Sequence, residues 1–404
     1  TLSECLFFFG GMERFFHAAA SWKGVGLALS TCIGLRVVAQ VFRRSIGTTF
    51  KPLPPARQRT GVLLVNTGTP DSTQVRHVRK YLRQFLSDPR VIDLPFIPRW
   101  CLVNLIIAPI RAFSSAKLYR RIFTERGSPL KFHGLDVADL LQKELGDGFH
   151  VRLAMRYQSP SMEDALAEMY AGAVDHIILI PLFPQYASAS AGSVIDRFLK
   201  IISKWWRIPH MSIVSNFWDN EIFLTAWEQH GRQYINSHQY DKIVFSYHGV
   251  PERHIKKGSC GDHCRLNDSC CSTYSANNAF CYRAQCLHTS QALAQRLGLA
   301  PGQHETAFQS RLGRDKWLQP YMQDRINGLI AEGKKKVLVF CPSFVADCLE
   351  TTSELGIEAK EEFLLKGGER WDVVPCLNAD PLWVKSLREM VLRLDVAHRQ
   401  VKAS

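Results

Sequence analysis

The feature that most constrains this chain is a set of four short apolar runs, each cut off by a turn rich in Gly or Pro. Gly61-Val-Leu-Leu-Val65 runs into Asn66-Thr-Gly-Thr-Pro70, and His176-Ile-Ile-Leu-Ile180 into Pro181-Leu-Phe-Pro-Gln185. Lys242-Ile-Val-Phe-Ser246 runs into Tyr247-His-Gly-Val-Pro251, and Lys336-Val-Leu-Val-Phe340 into Cys341-Pro-Ser343. Runs this short and this uniformly apolar fit strands covered on both faces, and amphipathic stretches such as Ser161–Gly172 lie between them. That alternation marks an α/β protein with parallel sheets. The runs also pair: Gly68 and Pro70 stand 181 positions before Gly249 and Pro251, and Pro181 stands 161 before Pro342. Two similar doubly wound, Rossmann- or flavodoxin-like lobes are expected, over residues 60–235 and 236–398. In open sheets of this kind ligands bind beyond the carboxyl ends of the strands, so chemistry is sought in the four turns.

The basic balance does not point to nucleic acid. The formal charge is +13, but residues 1–60 hold eight Lys/Arg against Glu4 and Glu13, and the other +7 is spread thinly. No zinc-finger spacing or basic-aromatic strip occurs. No G-x-G-x-x-G follows a strand and no G-x-x-x-x-G-K-[ST] is present, so a dinucleotide or nucleoside triphosphate has no support. Between Arg14 and Pro70 there is no Asp or Glu, and Arg, Ser, Ala and aliphatic residues dominate. Residues 1–59 are therefore expected to be a leader, either a targeting peptide or an anchor, ending in a Pro-rich linker. An Arg36 near the centre of the apolar stretch Gly24–Phe42 speaks against a stable membrane span.

His248 directly follows the third run, where a histidine is better placed for chemistry than one buried mid-core. After the fourth run, Asp347, Glu350 and Glu354 would share one face if the segment is helical from Asp347 onward.

These segments carry a resemblance. Ser246-Tyr-His-Gly-Val-Pro-Glu-Arg-His254 and Cys341-Pro-Ser-Phe-Val-Ala-Asp-Cys-Leu-Glu-Thr-Thr-Ser-Glu-Leu355 resemble the histidine and acidic signatures of the ferrochelatase family. Gly61–Pro70, Tyr119-Arg-Arg121 with Gly127-Ser-Pro129, Met155-Arg-Tyr157, Phe183-Pro-Gln-Tyr186, Phe308-Gln-Ser-Arg311, Trp317 and Asn378 match in family order. The resemblance implies insertion of Fe²⁺ into protoporphyrin IX, giving protohaem. It implies that His248 accepts a pyrrole proton and that Glu350 is the essential acid. Asp347 and Glu354 would extend a polar path, and His248 and Glu350 would meet the substrate iron. Thr67, Tyr119, Arg120, Arg121, Ser128, Arg156, Tyr157, Tyr186 and Trp317 are the candidates for porphyrin contacts. A guanidinium suits a propionate, although Arg120 and Arg121 are not distinguished. Val91–Phe113, apolar with Arg99, Trp100 and Arg111, resembles the family's active-site lip, where a peripheral membrane contact is expected. The rivals are a cobaltochelatase of an earlier tetrapyrrole, and a non-catalytic iron–sulfur or haem-binding protein on the same scaffold. The iron donor is not indicated.

Six of the twelve cysteines fall within residues 260–286. The segment 258–281 reads as an insertion without an apolar core of its own, which a metal or disulfides would have to hold. Cys286 matches a non-inserted segment of the family, which leaves Cys260, Cys264, Cys270, Cys271 and Cys281. The resemblance to some bacterial members implies four of these as ligands of a [2Fe–2S] cluster, with zinc as the rival. Cys341, Cys348 and Cys376 read as small core residues. The insertion suggests bacterial cytoplasm at the inner membrane, and the leader a mitochondrion or plastid.

Overall fold

The computed structural model describes residues 59–311, 313 and 315–403, without the side chains of Asp268 and residues 401–403. The expected leader, whether targeting peptide or anchor, lies outside the described residues. Within them stand two four-stranded sheets of identical topology. The first holds β1 (Thr60–Gly68), β2 (Phe149–Tyr157), β3 (His176–Pro181) and β4 (His210–Ile213), in the order β2-β1-β3-β4. The second holds β5 (Lys242–His248), β6 (His304–Gln309), β7 (Lys336–Phe340) and β8 (Arg370–Val373), in the order β6-β5-β7-β8. Every pairing is parallel. This is the expected α/β class, and the four runs read from sequence are β1, β3, β5 and β7.

Those four form the middle of the sheets. Val62 to Val65 of β1 and Val337 to Phe340 of β7 are fully buried. In each sheet the chain goes from the first strand to one flank and then crosses to the other. The carboxyl ends of β1 and β3, and of β5 and β7, therefore bound a switch point, where a crevice opens.

One apolar core spans both sheets, with Val62, Ile178, Trp227, Phe245, Phe340 and Trp383 among its members. The helix Glu221–Ser237 lies close on β7 at Gly231, where an added Cβ would stand 2.3 Å from the Phe340 ring. Burying a side chain such as Phe340 contributes roughly 1.5–3 kcal/mol. The last helix, Pro381–Ala403, returns to the first sheet: Thr60 Oγ1 donates to Asp395 Oδ1 at 2.5 Å.

Candidate active site at the strand ends

The second switch point gathers the acids and the histidine. His248 is the last residue of β5, and its Nδ1–H donates to the Gly249 carbonyl at 2.6 Å. A carbonyl can only accept, so this bond fixes the tautomer and leaves the lone pair on Nε2. The peptide between His248 and Gly249 is held at both ends. Gly249 N–H donates to Gln309 O at 2.8 Å, and Tyr282 Oη donates to the His248 carbonyl at 2.8 Å. Gly249 is required here, because a Cβ would meet Gln309 O at 2.9 Å and Trp317 Cε3 at 3.2 Å. The rings of Trp317 and Phe344 each stand 6.4 Å from the imidazole.

Beyond β7 the chain enters a wide π-type helix, Leu349–Ala359, which carries Glu350 and Glu354. The Glu354 carboxylate accepts from Ser310 N–H at 2.7 Å, from Ser310 Oγ, and from Gln309 Nε2 at 3.4 Å. Ser310 reaches it from a left-handed backbone with φ of 65°. Gln309 Nε2 also donates to the Glu350 carbonyl at 3.1 Å, and Ser246 Oγ donates to Gln309 Oε1 at 2.6 Å. Burial pushes the Glu354 carboxyl above its ordinary value, against the Ser310 hydrogen bonds and the nearby His248, and the Glu350 charge adds to the rise. Glu350 borders the buried Tyr81–Tyr119 pair and the Cys348 thiol; burial first, then its charge among others, raises that thiol.

Asp347 is not on this stripe. Cys348 is extended, with φ of −149°, and caps the helix that begins at Leu349, so Asp347 precedes the helix altogether. Its carboxylate instead accepts from Cys376 N–H at 3.1 Å and Asn378 Nδ2 at 2.7 Å, and ties down the chain after β8. The expectation of three acids on one helix face is corrected to two.

The first switch point is similarly built. Thr67 lies at the end of β1, its N–H on Asn66 Oδ1 at 2.8 Å. Ser128 is buried and accepts from Thr69 Oγ1 at 2.9 Å, so its hydroxyl holds the β1 turn and is not on a rim. Tyr119 is buried edge-on against Tyr81, with centroids 6.3 Å apart. Arg156 Nη2 donates to Asp88 Oδ2 at 2.6 Å, and the same carboxylate accepts from Tyr157 Oη at 2.9 Å and Ser193 Oγ at 2.6 Å. Burial alone would raise the Asp88 carboxyl; Ser193, the Arg90 N–H, Arg156 and Tyr157 outweigh it and hold it below the ordinary carboxylate range. Arg156 and Tyr157 are thus committed to Asp88, whereas Arg120 and Arg121 are exposed. Arg121 has only a loose exposed pairing, 3.9 Å from Glu358. Tyr186 stacks edge-on against Phe280 at 5.4 Å and borders a cavity of about 410 Å³ shared with Val250, His254, Cys281 and Tyr282.

In the insertion, Cys270 and Cys271 are buried, Cys264 and Cys281 half-buried, and Cys260 exposed. Cys270 Sγ stands 3.6 Å from Cys271 Sγ. A hydrogen bond from the Cys271 thiol lowers Cys281 against the cost of burial, with help from the Ala284 and Arg283 N–H groups at the start of the next helix. Cys264 in turn borders Cys270 and Cys271. Asn278 pins the loop by donating to Cys270 O at 2.9 Å and Thr273 O at 2.8 Å. The thiols thus meet pair by pair, and a thiolate is donor chemistry suited to a soft metal. Among the described residues, however, no three His, Cys, Asp or Glu side chains converge as ligands of one ion.

Sequence reasoning missed Asp88, Tyr81 and Tyr282, and gave Gln309 and Ser310 no role. Asp88 stands in Ser87-Asp-Pro-Arg90, which reads as an ordinary turn.

The ferrochelatase family model matches residues 59–394. A ferrochelatase of Legionella pneumophila is 44% identical over 333 residues, covering 82% of this chain and 98% of its own. One of Coxiella burnetii is 42% identical over 332 residues, covering 82% of this chain and 93% of its own. Among solved structures, SirB from Bacillus subtilis with Fe³⁺ aligns over 83% of this chain at 10% identity and a TM-score of 0.47, too distant to transfer a residue role.

Proposed function

The chain belongs to the ferrochelatase family and acts as a ferrochelatase, inserting Fe²⁺ into protoporphyrin IX; we propose that His248, Glu350 and Glu354 perform the proton and metal traffic of that reaction. The observation that carries the assignment is the fixed imidazole of His248 near the Glu354 carboxylate, on the helix that also carries Glu350. Insertion replaces two pyrrole protons by one Fe²⁺, so two protons must leave the ring. The Nε2 lone pair of His248 takes a pyrrole proton. Glu354, raised by burial and held by Ser310, receives protons from that side and passes them toward solvent. Glu350 meets the incoming iron, which is bound weakly enough to move on. Arg120 and Arg121 hold the propionates, and Trp317 and Phe344 offer apolar surface to the macrocycle. Replacing Glu350 with Gln tests this: metal insertion should fall while protoporphyrin still binds, and an unchanged rate would remove Glu350 from the site.

The helix Phe96–Ile122 supports a membrane contact. Phe96, Ile97, Trp100, Leu105, Ile106, Ile110 and Phe113 are exposed, while Ala108, Ala112, Ala116 and Tyr119 are buried against the protein. It is long and apolar enough to cross a bilayer, but one face is already occupied. That favours a helix lying in the interface over one spanning it.

For the insertion, the family resemblance supports a [2Fe–2S] cluster held by four of Cys260, Cys264, Cys270, Cys271 and Cys281, and the Cys270–Cys271 and Cys271–Cys281 contacts bring part of that set together. Bound there, it would supply the crosslink that a loop without a core needs. An iron-type visible spectrum lost in the quadruple Cys→Ser variant supports this; stoichiometric zinc on a colourless protein contradicts it.

A further inference from the structure

We propose that Tyr282 is a positioning residue for His248 and connects the cysteine-rich insertion to the active site. Cys281 caps the helix Tyr282–Leu297, and Tyr282 is its first residue. The Tyr282 hydroxyl donates to the His248 carbonyl across 34 positions of sequence at 2.8 Å. The ring is buried in the core that spans both sheets, alongside Cys286, so the hydroxyl is a fixed donor and not a mobile surface contact. The peptide it holds is the one whose N–H is taken by Gln309 O. The next carbonyl, that of Gly249, takes the imidazole Nδ1–H. A shift of Tyr282 therefore tilts the His248–Gly249 peptide, which carries the imidazole on one side and leads directly into its anchor, the Gly249 carbonyl, on the other. Gln309 reaches Glu350 and Glu354 from the same place, so the tilt is felt relative to both acids.

The other end of the lever is the insertion. The Cys281 sulfur borders Cys271, which in turn touches Cys270. Drawing the sulfurs together or leaving them apart must move the cap of the helix, and Tyr282 is the residue next to that cap. Cys281, Tyr282 and Val250 share the wall of the 410 Å³ cavity, which leaves room on that side for such a shift. The insertion thus acts on the geometry of His248 without contributing an atom to the reaction.

The inference rests on His248 being the proton acceptor. The test uses the full chain labelled with ¹⁵N-histidine, the His248 ring signal being assigned by its absence in His248→Ala. Tyr282→Phe keeps the ring and removes the donor. It should shift the His248 signal and lower kcat about tenfold, the size of one lost hydrogen bond, with protoporphyrin binding unchanged. Cys281→Ser should move the same signal, and should fail to move it in the Tyr282→Phe background. A wild-type signal and rate in Tyr282→Phe would overturn the positioning role. An equal response to Cys281→Ser in both backgrounds would overturn the route through Tyr282. Should Tyr282→Phe not fold, 3-fluorotyrosine at 282 alters the donor with the ring in place, and an unmoved His248 signal there overturns the proposal. Full turnover in His248→Ala would instead remove the reading beneath it.

Discussion

Ser310 donates both its backbone N–H and its hydroxyl to Glu354, from a left-handed backbone that a serine rarely adopts. The bonds hold a carboxylate whose burial works against its charge. Because the folded-state pKa of Glu354 lies above the unfolded value, folding favours the protonated form. The stability this gives is full below the unfolded pKa and is lost as pH rises through the folded one. Glu354→Gln, which keeps an acceptor for Ser310, should therefore raise the melting temperature relative to the parent more at pH 8 than at pH 4. A difference independent of pH would contradict the shift.

Asp88 behaves in the opposite sense. Its carboxyl is held below the ordinary range, so its stabilising contribution is present above the unfolded pKa, about 3.9, and fades as pH falls through the folded value. Asp88→Ala leaves the half-buried Arg156 guanidinium without its carboxylate, a change that costs up to about 3–5 kcal/mol. Urea unfolding at pH 7 should show a loss of that order, narrowing below about pH 4. A loss under about 1 kcal/mol at pH 7 would show that Arg156 finds another partner.

Much of this could be read from the chain and some could not, for identifiable reasons. β1, β3, β5 and β7 are legible because both faces are covered, which leaves unbroken apolar runs. β2 mixes His150, Arg152 and Arg156 into its run, and β4 and β8 are four-residue edge strands, so none of the three carries that signal. His248, Glu350 and Glu354 can be singled out in the sequence because they follow legible strands and fall in segments that resemble the family's signatures. Asp347 was misplaced because the helix starts after the Cys348 cap, a boundary of two residues that residue type does not mark. Asp88 and Tyr282 were missed because each works through a partner remote in sequence: Asp88 meets Arg156 68 positions away, and Tyr282 meets His248 34 positions away.

Gly249 is predicted to tolerate no side chain. Gly249→Ala must displace Gln309 or Trp317, and overpacking of this kind costs roughly 1–3 kcal/mol. Because the same peptide carries His248, kcat should drop along with stability. Parent-like kcat would show that the strand end yields without disturbing the imidazole.

The exposed face of Phe96–Ile122 should govern attachment to lipid. Each large apolar side chain withdrawn from water contributes about 1.5–3 kcal/mol, or roughly tenfold or more in partition. Ile97→Ser with Ile110→Ser should leave the melting temperature close to the parent's and sharply reduce flotation with anionic vesicles. Undiminished flotation would place the contact elsewhere.

The most direct test is anaerobic insertion of Fe²⁺ into protoporphyrin IX by the full chain and by its His248→Ala variant. Absorbance is followed from substrate to product, and porphyrin affinity is measured separately by fluorescence. The parent should form the metalloporphyrin. The variant should bind porphyrin normally and lose about 10²–10⁴-fold in rate, the usual worth of a positioned general base. Insertion at the parent's rate without the imidazole would contradict the account at its centre.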